Sequence, residues 1–431
     1  MKIKKEEFSW ALYDWANSAF STTIIAGFFP FFFKEFWNIG VADDVITLRL
    51  AIANSIAGLF IALLAPFLGA WADLSFGKKK FLTGFAFAGI FGSMALAFLD
   101  SGSWQWASFW YIIASLGFFG GNIFYDSFLP VIAKRENLDR ASNLGYALGY
   151  LGGGLLLAAN VLWATYPDKF GFSSAQSAVK GSFLSVGIWW ALFSIPLLIF
   201  VKDKKQSSKQ KPENYVERVT ILQIFRELKK TVKDIMKTRT VLYFLIAYWL
   251  YIDGVHTIIR MAVIYGSSIN LHTQDLITAL IVTQFVGFPA SLAYIKLSKY
   301  IGVKKSILAG ISVYIFICIW GATIDSSAEF FVLAGIVGLV QGGVQALSRS
   351  YYTRIIPIEK AAEFFGFYNM LGKFAVIIGP MLMALTGYFA IRFLGDPELG
   401  TRISIVSITV LFLAGGLLLM KLPDPDQEME K

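Results

Sequence analysis

The sequence predicts an all-α membrane protein of twelve transmembrane helices arranged as two six-helix bundles. Three observations predict it. The chain has 431 residues, of which 56% are hydrophobic and 16% charged, against about 25% charged in soluble proteins. Its apolar residues fall in repeated runs of 18 or more, long enough to cross a bilayer. And one polar signature recurs, once in each half: Asp14-Trp15-Ala16-Asn17-Ser18 and Asp253-Gly254-Val255-His256-Thr257. Each reads Asp, two spacers, Asn or His, then Ser or Thr, with Leu-Tyr just upstream.

The apolar runs are roughly 10–33, 48–70, 81–99, 106–130, 142–163, 181–201, 241–264, 275–297, 306–324, 329–348, 363–389 and 403–421. An even number puts both termini on one side. Of the 38 Lys and Arg, 30 lie on the termini and even-numbered connections. The odd-numbered connections hold six: Lys34, Arg49, Lys169, Lys180, Arg392 and Arg402. The positive-inside rule then places both termini in the cytoplasm, in the inner membrane if the source is a bacterium. The basic N-terminus runs into a first apolar stretch that holds Asp14 and lacks a small-residue cleavage site, so it reads as a retained helix rather than a signal peptide.

The longest connection divides the chain into an N-terminal half (1–201), a linker (202–240) and a C-terminal half (241–431). Residues 202–213 read as a polar tether. Beyond it Ile221, Ile224, Phe225, Leu228, Val232, Ile235 and Met236 recur at helical spacing opposite Arg226, Lys229, Lys230, Lys233 and Lys237. This is an amphipathic basic helix, expected both to tether the halves and to lie on the anionic inner leaflet. Membrane lipid is the partner expected for it, not nucleic acid.

Polar groups are not spread evenly. Spans three, six, nine and twelve carry no ionisable residue between their ends and are expected to form the lipid-facing scaffold. Asp14 lies in span one, Asp126 in span four, Asp253, His256 and Arg260 in span seven, Lys373 in span eleven. Span eight adds Gln284, and span ten Gln341 and Gln345. A charge in hydrocarbon costs about 2.5–3.5 kcal/mol even on insertion scales, so such residues face a wet interior and tend to work. The period of three implies four three-helix repeats, the organisation of transporters that hold substrate near the midplane.

The connection after span two runs Gly69-Ala70-Trp71-Ala72-Asp73-Leu74-Ser75-Phe76-Gly77-Lys78-Lys79-Lys80. It resembles the cytoplasmic loop signature of the major facilitator superfamily, with Gly77 one residue later than the family form. After span eight the equivalent loop has Ser298 in place of the Asp. The resemblance implies that Asp73 and Gly77 help to lock an inner gate; a charged turn that merely satisfies topology is the alternative. Gly145-Tyr146-Ala147-Leu148-Gly149-Tyr150-Leu151-Gly152-Gly153-Gly154 resembles the superfamily's antiporter signature, with Tyr150 where the pattern has Pro. Four further segments sharpen the likeness: Tyr13 to Phe20, Tyr251 to Ile258, Gln341 to Tyr351 and Glu363 to Asn369. With Phe128-Leu129-Pro130 after Asp126, they resemble the vacuole-effluxer-like, or unknown major facilitator, branch. That branch's best-known member exports amino acids from a fungal vacuole, so the resemblance implies a transporter and suggests amino acids.

Asp253, His256 and Arg260, at i, i+3 and i+7, share one helical face and rise about 10 Å. Lys373, at similar depth, is the expected partner of Asp253; the pair opens when a proton or substrate arrives. Such a carboxylate suits a proton carrier, and His256 titrates near neutral pH even unperturbed. Asp14 and Asn17 form the first-half counterpart, Asp14 being read as nearer the inner mouth. Gln341 and Gln345 join the substrate or coupling set. Asp126, with Arg140 or Lys134 as partner, is assigned to gating or coupling. The expected function is a proton-coupled, alternating-access secondary transporter, acting as a monomer, for a small polar or zwitterionic metabolite. An efflux pump for amphipathic compounds, or a transport-inactive scaffold or sensor, is the alternative. An enzyme is not expected: there are two His, His256 and His272, and no metalloprotease pattern, nucleophile elbow or nucleotide-binding loop. The single Cys318 precludes an intrachain disulfide or thiol metal cluster, and no cofactor or metal is expected.

Overall fold

Twelve helical segments are long and apolar enough to cross a membrane in the computed structural model, which describes residues 3–75, 77–203, 219–268, 273–375 and 378–425. They are Lys5–Trp37, Asp43–Ser75, Lys78–Phe98, Trp104–Ile132, Arg135–Thr165, Ala175–Phe200, Arg239–Arg260, Asp275–Ile301, Val303–Gly321, Ser327–Ile355, Ile358–Leu394 and Glu398–Met420. We refer to them as spans one to twelve. No strand occurs among the described residues. Most helices outrun the apolar core read from sequence, because backbone hydrogen bonding continues through their polar ends. Span ten, for example, extends to Ile355 and carries Arg349 and Arg354 on its last turns. Of the polar tether expected over 202–213, everything from 204 on lies outside the described residues.

The chain divides into two compact units. Unit 1 comprises Met1–Glu136, Leu148–Lys233 and Pro357–Met370. Unit 2 comprises Asn137–Ala147, Asp234–Ile356 and Leu371–Lys431. Unit 1 thus includes the first turns of span eleven, and unit 2 the first turns of span five.

Each unit shows the repeat in its packing. In unit 1 Lys79 Nζ, on the first turn of span three, donates to the Val201 carbonyl just after span six at 2.8 Å. In unit 2 Lys304 Nζ, on the first turn of span nine, donates to the Leu422 carbonyl just after span twelve at 2.7 Å. Both satisfy terminal carbonyls that have no intrahelical donor. Rows of exposed apolar side chains mark the scaffold spans: Phe87 and Phe91 on three, Ile188, Leu192, Ile195 and Ile199 on six, Phe316 and Ile319 on nine, Val410, Leu413 and Leu417 on twelve. Spans two and eleven, outside that set, present such rows as well, from Leu48 to Leu63 and from Met381 to Phe393.

The irregularities of two spans bear on the site. Span one is α-helical over Lys5–Ala19 and π-helical over Phe20–Phe28, the wide turns starting just after Ser18. Span eleven contains two α-helices, Ala361–Phe374 and Ile378–Leu394. The second begins with Ile378, Gly379 and Pro380. Proline suits a first turn, where its missing N–H would have no intrahelical acceptor.

Candidate functional site

In unit 2 the Asp253 side chain is fully buried. Its Oδ1 accepts the Gly379 N–H at 2.8 Å, and its Oδ2 the Ile378 N–H at 3.1 Å. The Thr257 hydroxyl, one turn on, donates to Oδ1 at 3.2 Å. The two amides belong to the first turn of helix Ile378–Leu394 and have no acceptor within it. They also carry the positive end of its dipole, so a carboxylate is favoured there. Asp253 therefore caps the second helix of span eleven from span seven. This differs from the partner expected from sequence. The carboxylate lies on amides five and six residues beyond Lys373, because the helix start at Ile378 supplies donors that an unbroken helix would have used internally.

Gly379 is required by this contact. A Cβ there would come within 2.6 Å of Asp253 Oδ1 and closer still to Thr257 Oγ1. Arg260 acts electrostatically on both Asp253 and His256, and Lys373 acts on His256, which also bonds to the backbone of Gly372. His256 and Lys373 are half-buried and Arg260 is exposed. Spans seven and eleven of unit 2 thus bring together Asp253, His256, Arg260 and Lys373. Gln341 and Gln345, half-buried and one turn apart on span ten, share a helix face.

In unit 1 the matching motif binds a different span. The Tyr125 hydroxyl of span four donates to Asp14 Oδ2 at 2.7 Å. Asn17 Nδ2 donates to Asn122 Oδ1 at 2.8 Å. The Trp10 indole N–H donates to the Tyr125 carbonyl at 2.8 Å, and the two rings stack with centroids 4.3 Å apart. Asp14 is half-buried, nine residues after the helix start at Lys5 rather than about five into its span. The other face of the motif lies on glycines of span five. A Cβ at Gly149 would come to 2.6 Å from Ser18 Oγ, one at Gly152 to 2.7 Å from the Trp15 ring, and one at Gly153 to 3.0 Å from Thr22. The glycine run admits span one at close range.

The residues assigned to gating lie at the helix ends. Asp73, also in unit 1, pairs with Lys78 at 2.8 Å and accepts the Glu363 N–H at 2.8 Å. Glu363 is in the first turn of helix Ala361–Phe374, so this carboxylate caps the first helix of span eleven as Asp253 caps the second. Glycines allow the approach: a Cβ at Gly69 would meet Ala362 and Glu363 backbone within 2.8 Å, and one at Gly366 would meet the Ala65 carbonyl oxygen at 2.5 Å. Gly77 closes the turn by donating its N–H to the Ala72 carbonyl at 3.1 Å, with φ −117°, which other residues also adopt. Its counterpart Gly302 has φ +88°, where glycine is favoured. Asp126, buried, accepts from Asn369 Nδ2 at 3.1 Å. Arg140 is half-buried on the first turn of the helix Leu138–Thr165 and is counted with unit 2, whereas Asp126 is counted with unit 1.

Sequence reasoning missed a second buried cluster, in unit 2. Arg349, only 3% exposed, donates to Ser142 Oγ at 2.9 Å and to the Ser142 carbonyl at 3.0 Å, with its guanidinium over the Tyr146 ring. Arg354 pairs with Asp139 at 2.7 Å, and the Ser350 hydroxyl also bonds to Asp139. Both arginines lie just past the apolar run 329–348, where a basic residue looks the same in sequence whether it faces water or a neighbouring helix.

The profile of the vacuole effluxer Atg22 like family matches residues 49–423 of this chain. The chain is 35% identical over 426 residues to a Bacillus subtilis (strain 168) protein, the uncharacterized MFS-type transporter YxiO, with 98% of this chain and 96% of that one aligned. It is 26% identical over 279 residues to autophagy-related protein 22 of Yarrowia lipolytica, spanning 59% of this chain and 46% of that protein, so it covers about half of the longer fungal relative. Among solved structures it superposes on the proton:xylose symporter XylE with a TM-score of 0.69 at 13% identity, over 97% of this chain and 95% of that one. At that identity the likeness speaks for the fold alone.

Proposed function

The chain belongs to the vacuole effluxer Atg22 like family and is a transporter of the major facilitator superfamily, and from that premise we propose that it is a proton-coupled secondary transporter of small zwitterionic metabolites, amino acids foremost. The observation that carries this reading is Asp253, buried on the Ile378 and Gly379 amides. Protonation removes the charge that the helix start holds, and one oxygen becomes a donor facing a donor. Proton uptake then loosens span seven from the second helix of span eleven, which converts a protonation event into a movement of helices. Arg260 and Lys373 of the same unit supply cationic groups for a substrate carboxylate, and a released Asp253 supplies an anion for an ammonium. The Lys and Arg distribution supports cytoplasmic termini, and we take the transporter to work by alternating access of its two halves as a monomer.

A thermal-shift screen of the purified protein against the twenty amino acids and a set of amphipathic cations tests the substrate class. At least one amino acid is expected to raise the melting temperature, with the shift lost in Lys373→Ala. Stabilisation that persists in Lys373→Ala removes that residue from the site. A screen positive only for amphipathic cations overturns the zwitterion reading in favour of efflux.

A further inference from the structure

The linker helix Ile221–Lys237 has three faces, not the two its sequence suggests. One face is buried: Ile224, Thr231 and Ile235 are at most 6% exposed. A second remains open and apolar: Ile221, Leu222, Phe225, Val232 and Met236 are between 41% and 69% exposed. The third is basic and exposed, carrying Arg226, Lys229, Lys230, Lys233 and Lys237. At 100° per residue the open apolar residues other than Leu222 form one stripe, bordered on one side by the buried face and on the other by the basic one. The residues expected from sequence to form a single membrane face are therefore shared between protein and an unfilled surface. Ile224 and Ile235 go inward, Leu228 is half-buried, and the other four stay out.

The geometry points to a docking surface for the bilayer interface, with anionic phospholipid as its occupant. The apolar stripe has the width and side-chain length to enter the headgroup–acyl boundary. The basic stripe beside it provides five cations at the depth of the phosphates, so charge complementarity selects anionic over zwitterionic headgroups. A soluble partner protein is disfavoured because the stripe adjoins Phe67 of span two, whose ring lies 5.8 Å from that of Phe225; the surface continues an apolar membrane span.

The same helix holds the start of span eleven. Lys360 Nζ pairs with Glu227 at 2.7 Å and donates to Thr231 Oγ1 at 3.1 Å, one turn before the Glu363 N–H donates to Asp73. Seating the helix on the bilayer fixes Glu227 and Thr231, and with them the first turn of the helix that Asp73 caps. Headgroup charge thereby sets how firmly this end of span eleven is held.

The test places an environment-sensitive fluorophore on Val232→Cys in full-length protein whose one native cysteine, Cys318, is replaced by Ala. Reconstituted in vesicles with 30% phosphatidylglycerol, the probe is expected to be quenched by nitroxide on lipid acyl chains and shielded from aqueous iodide. In pure phosphatidylcholine, or with Lys229, Lys230 and Lys233 all changed to Gln, lipid quenching falls several-fold. Quenching equal in both lipids, or iodide access with no lipid quenching in either, overturns the proposal. Hydrogen exchange over 361–366 is the second readout. It slows in the anionic vesicles, and Glu227→Gln removes that dependence; exchange indifferent to lipid in the unaltered protein breaks the link to span eleven.

Discussion

Span one and span seven carry the same polar motif, and each sets its Ser or Thr against a glycine of another span: Ser18 on Gly149 in unit 1, Thr257 on Gly379 in unit 2. What differs is the backbone behind that glycine. Helix Leu138–Thr165 runs unbroken past Gly149, so its amides are used internally and Asp14 takes a hydroxyl from Tyr125 instead. A helix begins at Ile378, so Gly379 and its neighbour offer free N–H groups and Asp253 takes those. A duplicated motif has thus acquired two electrostatic settings from a difference in the partner helix, not in the motif itself. At the half-buried Asp14 the donor is a side-chain hydroxyl, which brings no helix dipole. A helix start gives two hydrogen bonds and a dipole at a fully buried one.

The comparison can be broken by substitution. The largest effect is expected for Gly379→Ala, whose Cβ overlaps both Asp253 and the β-branched Thr257. A loss of about 3 kcal/mol is expected, the upper end for overpacking, read as a fall in melting temperature in detergent. Gly149→Ala should cost less, because Ser18 Oγ ends a short side chain that can rotate away. Equal losses at the two glycines would erase the distinction. Asp253→Asn comes next, at about 2 kcal/mol for losing charge-assisted bonds and setting an amide N–H against a backbone N–H. Asp14→Asn should cost less than half of that. The smallest expected effect is Tyr125→Phe, about 1 kcal/mol for one hydrogen bond; a larger loss would mean that the Asp14 site is as tightly built as its counterpart.

The spans and the transporter class were legible from the chain, because a bilayer writes its thickness into hydropathy and the segments that carry the family likeness lie in both halves. Asp253 was legible as a residue with a partner to find, since a carboxylate in an apolar run is costly. Its partner was not. Gly379-Pro380 signals a first helical turn, yet the same pair is equally at home in close packing, and only the observed start at Ile378 shows which amides are free. Lys373, an opposite charge at the expected depth, was the natural guess on spacing alone. Arg349 and Arg354 were missed for a related reason: sequence gives a basic residue at a helix end no mark of whether a neighbouring helix covers it. The linker helix was read with one apolar face because periodicity places Ile224 and Phe225 within about 100° of each other and cannot tell which of the two a neighbour will bury.

The most direct measurement is gradient-driven accumulation in proteoliposomes with an imposed pH difference, using whichever amino acid stabilises the purified protein. Asp253→Asn should abolish accumulation in protein that still folds, and Asp14→Asn should retain most of it. Full driven accumulation by Asp253→Asn would contradict the assignment of Asp253 as the group that carries the proton.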